Sequence, residues 1–202
     1  MSRETFLSEI KRTFAPSLRS EGFKGSGTTF RRYVGPLIHV VNIQGSVGGQ
    51  HCYLNLGAHL SFLGPVAGEP PDPAKIKEYE CAFRTRINPS SNGSQGWPYG
   101  TTQMDAIAEV SDLREAYGTG SARFFGQFAS YPESFSSVVP ASLQPTNAPH
   151  SLGSGSALVW AKIAKHLGRS EVAREFALLG LAEASPRASV YRRECERIAS
   201  EA

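Results

Sequence analysis

The sequence predicts an α+β fold in which an N-terminal helix packs on an antiparallel meander sheet of about four strands, with helices following. Residues 28–60 contain three apolar, β-branched runs separated by Gly35-Pro36 and by Ser46 to Gly49, a pattern typical of a β-meander. Residues 3–21 and 156–200 instead repeat apolar side chains at the three- and four-residue spacing of helices. The 202 residues are enough for one domain with a helical appendage.

The N-terminal segment predicts a helix over residues 3–21. Its apolar stripe comprises Phe6, Leu7, Ile10, Phe14 and Leu18. Pro16 should kink or restart the helix, and Gly22 is well placed just past its end. Residues 24–27, with two glycines, are expected to form a flexible turn.

Three strands are predicted over residues 28–34, 37–46 and 50–60, each with alternating side chains. In the third strand, one face is apolar and should meet the first helix. It comprises Cys52, Leu54, Leu56, Ala58 and Leu60. The other face of the second and third strands carries Asn42, Gln44, Tyr53, Asn55 and the histidines 51 and 59. His39 falls on the apolar side, which favours a satisfied, half-buried histidine.

A fourth strand is predicted over residues 80–87, after a Pro-rich loop at 64–74 and a short helix over 73–78. Arg84 and Arg86 share one face of this strand and could pair with a carboxylate or phosphate ligand, although such arginines more often pair with neighbouring acidic residues or stay solvated. In the loop over 88–103, Trp97 is expected either to cap the core or to form the aromatic rim of a pocket.

The later chain is predicted to be helical. Helices are expected over residues 103–117 and 122–129, separated by Gly118 and Gly120, and a further short helix begins near Pro132. We expect an α+β domain over 1–139, a linker over 140–156 and a helical segment over 157–202 that packs on the first domain as a hairpin or three-helix tail.

Composition excludes several classes of protein. With 40% hydrophobic and 19% charged residues, the chain is globular and not disordered, and a net charge of +3 is too small for a dedicated nucleic-acid domain.

The three cysteines, Cys52, Cys81 and Cys195, form no CxxC pair, which argues against a disulfide framework or a zinc site. The sequence shows no signal peptide and no apolar run of 18 residues, so we expect a cytoplasmic protein without a membrane segment.

Several short stretches resemble one known family. They are Gly22-Phe23-Lys24, Phe30-Arg31, Val41-Asn42-Ile43-Gln44-x-Ser46, Tyr53-Leu54-Asn55-Leu56-Gly57, Glu80-Cys81 and Arg84-x-Arg86-Ile87. In order and spacing they resemble the bacterial proteins grouped as domain of unknown function 4304, over residues 5 to 100. The resemblance implies a helix against a sheet and carries over no catalytic residue, because no activity defines the family.

The functional hypothesis ranked first is a non-catalytic binding or protein-interaction domain, of which an immunity-type inhibitor is one example. No catalytic residue, metal ligand or cofactor is predicted, because no nucleophile and base stand at a diagnostic spacing. The candidate ligand-binding residues are Asn42, Gln44, Tyr53, Asn55, Arg84, Arg86 and Trp97. A small-molecule site or enzyme on the same face is the second hypothesis, and a merely solvated sheet face explains the same residues.

A third hypothesis concerns residues 163–171, whose pattern resembles a DNA-reading helix-turn-helix. Its cations would be Lys165, Arg169 and Arg174. The following helix also carries Glu171 and Glu175 and is otherwise apolar, whereas a base-reading face favours Arg, Asn, Gln and Lys. An antiparallel helical hairpin explains the same residues, so nucleic acid is the less favoured partner. The sequence does not set the oligomeric state.

Overall fold

The computed structural model describes residues 3–64, 71–89, 96–143 and 154–201. It confirms the predicted α+β class, with an N-terminal helix, an antiparallel sheet and C-terminal helices. The chain divides into two compact units. The first comprises Met1–Leu60 and Asp72–Ala129, and the second comprises Ser61–Pro71 and Ser130–Ala202. Within the described residues, no helix is long and apolar enough to cross a membrane.

The N-terminal helical segment changes its hydrogen-bonding pattern just before Pro16. Helix α1 (Arg3–Glu9) continues as a π-helical turn over Ile10–Phe14 and then as α2 (Ala15–Ser20). The N–H of Ala15 donates to the carbonyl of Ile10, and Pro16, which has no N–H, lies in the first turn of α2. The helix therefore restarts at the proline, as the sequence predicts.

The sheet of the first unit has six antiparallel strands, two more than predicted. They are β1 (Lys24–Ser26), β2 (Thr29–Val34), β3 (Leu37–Gly45), β4 (His51–Leu60), β5 (Phe83–Ile87) and β6 (Trp97–Pro98). Their order is β1-β2-β3-β4-β5, and β6 also pairs with β4. The segment predicted as a flexible turn is β1, and the predicted loop over 88–103 contains β6. Both strands are too short for alternation to reveal them.

The segment before β5 also differs from the prediction. In place of a helix over 73–78, the chain makes a turn and then a 3₁₀ turn over Glu78–Glu80, and β5 begins at Phe83 instead of residue 80. Pro71 and Pro73 bracket Asp72 and disfavour a regular helix there.

Helix α3 (Gln103–Gly126) is continuous where two separate helices were predicted. Gly118 and Gly120 lie inside it, so the expected break is wrong. A β-carbon at Gly120 would lie 2.4 Å from Cδ1 of Ile87. The glycine therefore allows the helix to pack closely on β5, which sequence periodicity alone does not show.

Helix α3 covers the apolar face of the sheet. It contacts α1, β4 and β5, and the ring of Phe125 stacks on His39 of β3 with centroids 4.5 Å apart. The buried side chains of this layer include Phe6, Phe14, Phe30, Val41, Leu54, Leu56, Leu113 and Phe124. The predicted apolar face of β4 is thus buried, with α3 supplying much of the cover. His39 is 1% exposed and so is fully, not half, buried.

The opposite face of the sheet is covered at one end. Residues 72–82, here called the covering segment, lie over Ile38 and Val40 and bury Ile76 and Cys81 against them. A β-carbon at Gly57 would lie 2.6 Å from the Sγ of Cys81, so glycine is needed for this close approach. The rest of this face, here called the open face, carries the polar side chains described below.

The second unit contains four helices in its described part: α4 (Glu133–Ser136), α5 (Ser154–His166), α6 (Ser170–Glu183) and α7 (Ser189–Glu201). Helices α5, α6 and α7 contact one another, which is the three-helix form of the predicted tail. Residues 130–139, expected in the first domain, belong to this unit. Pro140–Leu143 form a 3₁₀ turn, and residues 144–153 of the predicted linker lie outside the described residues.

Candidate functional site

Strand register brings most of the candidate residues together on the open face. Asn42 of β3 pairs with Asn55 of β4, and Asn55 pairs with Arg86 of β5. One step along, Gln44 pairs with Tyr53. Because paired residues project to the same side of a sheet, these five side chains form a single layer.

Hydrogen bonds link three of these side chains into one chain. The Nε of Arg86 donates to Oδ1 of Asn55 at 3.0 Å, and Nδ2 of Asn55 donates to Oε1 of Gln44 at 2.9 Å. Asn55 is 4% exposed, whereas Gln44 and Arg86 are exposed. A buried amide with both ends satisfied therefore positions two exposed polar groups.

Aromatic contacts fix the outer part of the same layer. The guanidinium of Arg86 lies over the ring of Tyr53, 4.1 Å from its centroid. The Tyr53 hydroxyl lies 2.8 Å from Nε2 of His51, whose ring meets Tyr53 edge-on. His51 was placed on this face by strand alternation but was not among the candidates, and its hydrogen bond shows that it supports Tyr53.

Asn42 has a separate partner. Its Nδ2 donates to Oγ1 of Thr29 at 2.9 Å, across the β2–β3 pair. Thr29 was also missed as a member of the layer, although its position in a strand opposite Asn42 follows once the Gly35-Pro36 turn sets the register. The layer thus extends from β2 to β5.

Arg84 and Trp97 do not join this layer in the way the sequence suggested. Arg84 shares the face with Arg86 but lies beside the covering segment, where its Nη1 donates to the carbonyl of Tyr79 at 3.1 Å. Trp97 pairs with Cys52 on the opposite, helix-covered face and is 0% exposed. Its Nε1 donates to Oδ2 of Asp112 at 2.6 Å. A single pocket that includes Trp97 is therefore not formed.

The cysteines of the first unit are poor nucleophiles. Burial raises the pKa of Cys52 to about 12, with a smaller contribution from the charge of Glu109. Burial also raises the pKa of Cys81, with Glu78 and Glu80 acting in the same direction. Both thiols therefore stay protonated near neutral pH. Among the described residues, no group of three or more His, Cys, Asp or Glu side chains is arranged to hold a metal ion.

The three cations of the helix-turn-helix hypothesis have different settings in the second unit. Lys165 forms an ion pair with Glu201, and Arg169 donates to the carbonyl of Val138 at 2.9 Å. Arg174 is exposed on α6. Two of the three side chains are therefore engaged within their own unit.

An open groove of about 580 Å³ lies between α5 and α7 in the same unit. Its charged lining is internally paired, because Arg197 bonds Glu194 at 2.8 Å and Lys162 approaches the same carboxylate at 3.8 Å. The rings of Phe62 and His166 stack at one side, with centroids 3.7 Å apart. No residue predicted as a ligand-binding candidate on the sheet lies in this groove.

Comparison with known proteins supports a family but no activity. Neither the curated proteins nor the solved structures contain a match to the chain. A family model described as "Domain of unknown function (DUF4304)" matches residues 14–127, which is more than half of the sequence and extends beyond the predicted resemblance to the end of α3. The chain therefore belongs to the family of the domain of unknown function DUF4304.

Proposed function

We propose that this chain is a non-catalytic protein-binding module whose binding surface is the open face of the sheet. The observation that carries the proposal is the layer in which Gln44, Asn55, Arg86, Tyr53 and His51 hold one another by hydrogen bonds and ring contacts. Side chains that are already ordered lose less conformational entropy when a partner binds. Tyr and Arg are also the residue types enriched at the energetic centres of protein interfaces.

The dimensions of the layer favour a protein partner over a small molecule. Its residues span four adjacent strands, β2 to β5, which corresponds to about 14 Å at the usual strand spacing. Small-molecule sites are usually concave and enclose most of the ligand. A layer on the open face of a sheet, in which the side chains of Gln44 and Arg86 are exposed, is better suited to a broad surface contact.

The proposed setting is the bacterial cytoplasm. The three cysteines are free and buried, which is compatible with a reducing compartment. An immunity-type inhibitor, which would bind another protein and block its activity, is one form that such a module could take. A small-molecule site on the same face is the alternative function, and the binding experiment must distinguish it from protein binding.

The test compares two tyrosines of the first unit, of which Tyr53 is partly exposed and Tyr79 is exposed. The tagged full-length chain, Tyr53→Ala and Tyr79→Ala are used to capture proteins from a lysate of the source organism, with and without nuclease treatment. Tyr53 belongs to the layer, whereas Tyr79 is 57% exposed on the covering segment and lies near Lys77. We expect a protein that wild type and Tyr79→Ala retain and that Tyr53→Ala loses by at least tenfold, since truncation of an interface aromatic costs about 2 kcal/mol or more.

Mass spectrometry would name the captured protein, and titration of the purified pair would give its affinity for each variant. Thermal unfolding of both variants controls for loss of fold. Equal capture by wild type and Tyr53→Ala would contradict the proposed surface. Co-purified nucleic acid that disappears after nuclease treatment, with no retained protein, would instead favour the DNA-binding hypothesis.

A further inference from the structure

We infer that the open face binds a carboxylate in an acidic segment of the partner protein, with Arg86 as its principal contact. This inference rests on the proposed function and specifies the chemistry of the partner. It starts from the hydrogen-bonding capacity that remains at Arg86. A guanidinium has five N–H donors, and the described contacts use the one on Nε. No acceptor for Nη1 or Nη2 is found among the described residues.

The position of the guanidinium is fixed on two sides. Asn55 accepts from its Nε, and the ring of Tyr53 supports its plane from 4.1 Å. Arginine loses less freedom per hydrogen bond when its planar fork is already oriented, and that fork matches a carboxylate in a bidentate manner. Arg86 therefore presents a pre-oriented pair of donors.

The amide next to Arg86 extends the donor surface. Because arginine can only donate, Asn55 must place its oxygen toward Arg86 and its nitrogen toward Gln44. Gln44 then accepts through Oε1, which leaves its exposed NH₂ group free to donate. The outer edge of the Gln44–Asn55–Arg86 chain thus consists of donors, which is complementary to an anion.

The charge of the sheet has the same sign. On this side of the sheet the strands contain Lys24, Arg31, Arg84 and Arg86, whereas Arg32 lies beside His39 on the helix-covered side. None of the six described strands contains Asp or Glu. Arg31 donates to the carbonyls of Ile76 and Lys75, and Arg84 donates to that of Tyr79. These contacts with neutral carbonyls leave the positive charge of the face without a carboxylate from the sheet itself.

The number of available cations favours a carboxylate over a nucleic-acid backbone. Arg31 and Arg84 are held beside the covering segment, so Arg86 is the cation that belongs to the layer itself. Nucleic-acid affinity depends on neutralising several phosphates along a strand. One oriented fork with a neighbouring amide donor is instead sufficient for a single Glu or Asp side chain.

The experiment follows the Nε–Hε signal of Arg86 by ¹⁵N NMR in the full-length chain. The probe is a hexaglutamate peptide with blocked termini, and hexaglutamine and a ten-nucleotide oligothymidylate are the comparisons. We expect a saturable shift with hexaglutamate and none with hexaglutamine. Arg86→Lys keeps the charge but loses the fork and its stacking, so it should weaken binding at least tenfold.

Two further variants separate local chemistry from general charge. Arg84→Lys changes an arginine of the same strand and face and should alter the affinity less than twofold. Gln44→Glu keeps an acceptor for Asn55 but adds a negative charge to the layer, so it should weaken binding without loss of fold. Equal affinities of wild type and Arg86→Lys, or tighter binding of the oligonucleotide than of hexaglutamate, would overturn the inference.

The outcomes also distinguish this inference from the proposed function. If the Tyr53-dependent protein is captured but hexaglutamate produces no saturable shift, the open face binds a protein by other chemistry. The inference that Arg86 binds a carboxylate is then wrong. If hexaglutamate binds through Arg86 but no Tyr53-dependent protein is captured, the anion site stands and the protein-binding role does not.

Discussion

His39 lies between a cation and a helix in the core of the first unit. Its Nε2 lies 2.8 Å from the carbonyl of Phe128, and its Nδ1 lies 3.0 Å from Nη2 of Arg32. Since Arg32 can only donate, Nδ1 must be the acceptor, and Nε2 then carries the proton and donates to Phe128. The ring of Phe125 stacks on the imidazole of His39. This arrangement requires a neutral imidazole.

The environment of His39 predicts a loss of stability in mild acid. Burial lowers the pKa of His39 to about 4; the hydrogen bond to Phe128 opposes this shift, and the charge of Arg32 adds to it. In the unfolded chain the pKa returns to about 6.5, so that state binds the proton first. The stabilisation that neutral His39 gives the folded state is fully present above pH 6.5 and is lost progressively as the pH falls toward 4. The total loss in the free energy of unfolding is about 3 kcal/mol.

Urea unfolding of wild type and His39→Gln between pH 7 and pH 4 tests whether His39 causes the loss of stability in mild acid. Gln can both donate and accept but does not titrate, so the variant should be less stable at pH 7 and should show a smaller loss on acidification. Parallel losses of stability in the two proteins would assign the acid sensitivity to other groups.

At the scale of the elements, α3 shows why its two glycines are not equivalent. A β-carbon at Gly118 would meet no atom within 4 Å, whereas one at Gly120 would approach Cδ1 of Ile87 to 2.4 Å. Gly118→Ala should therefore stabilise the protein by up to about 1 kcal/mol, the usual gain in helix propensity. Gly120→Ala gains the same propensity but must displace Ile87, which costs about 1–3 kcal/mol.

The two alanine variants are controls for each other, because they make the same change two residues apart in one helix. Their midpoints of urea unfolding should move in opposite directions. A stabilising Gly120→Ala would mean that the side chain of Ile87 moves aside at no cost, so that this contact does not require glycine.

The elements also show what the sequence could and could not predict. Strand alternation placed Asn42, Gln44, Tyr53 and Asn55 on one face, because a period of two residues fixes the side of each side chain once the register is known. It could not place Trp97, since β6 has two residues and no pattern of its own. It also predicted a break in α3, because glycine is a weak helix former unless close packing requires it.

The site itself was predicted as a set of residue types, and its internal order was not. The chain from Gln44 through Asn55 to Arg86 depends on which residues of β3, β4 and β5 stand opposite one another, and β5 follows β4 only after a long connection. No local pattern in the sequence fixes that register. His51 and Thr29 were missed for the same reason, since their roles depend on partners in the layer.

At the scale of the whole molecule, the family match and the first unit end at nearly the same residue. The match covers residues 14–127, and the first unit ends at Ala129. This unit contains the complete sheet, helices α1 to α3 and every residue of the open-face layer. It also has a core of its own, formed by side chains such as Phe14, Phe30 and Phe124.

We therefore predict that a fragment of residues 1–129, which retains the segment 61–71, folds cooperatively and keeps the properties of the open face. Its urea denaturation should be a single transition with a smaller slope than that of the full chain, because less surface is exposed on unfolding. The Nε–Hε signal of Arg86 should respond to hexaglutamate as it does in the full chain. A fragment that unfolds without a cooperative transition would show that α5 to α7 are needed for the fold. A folded fragment that no longer binds would show instead that the second unit contributes to the function.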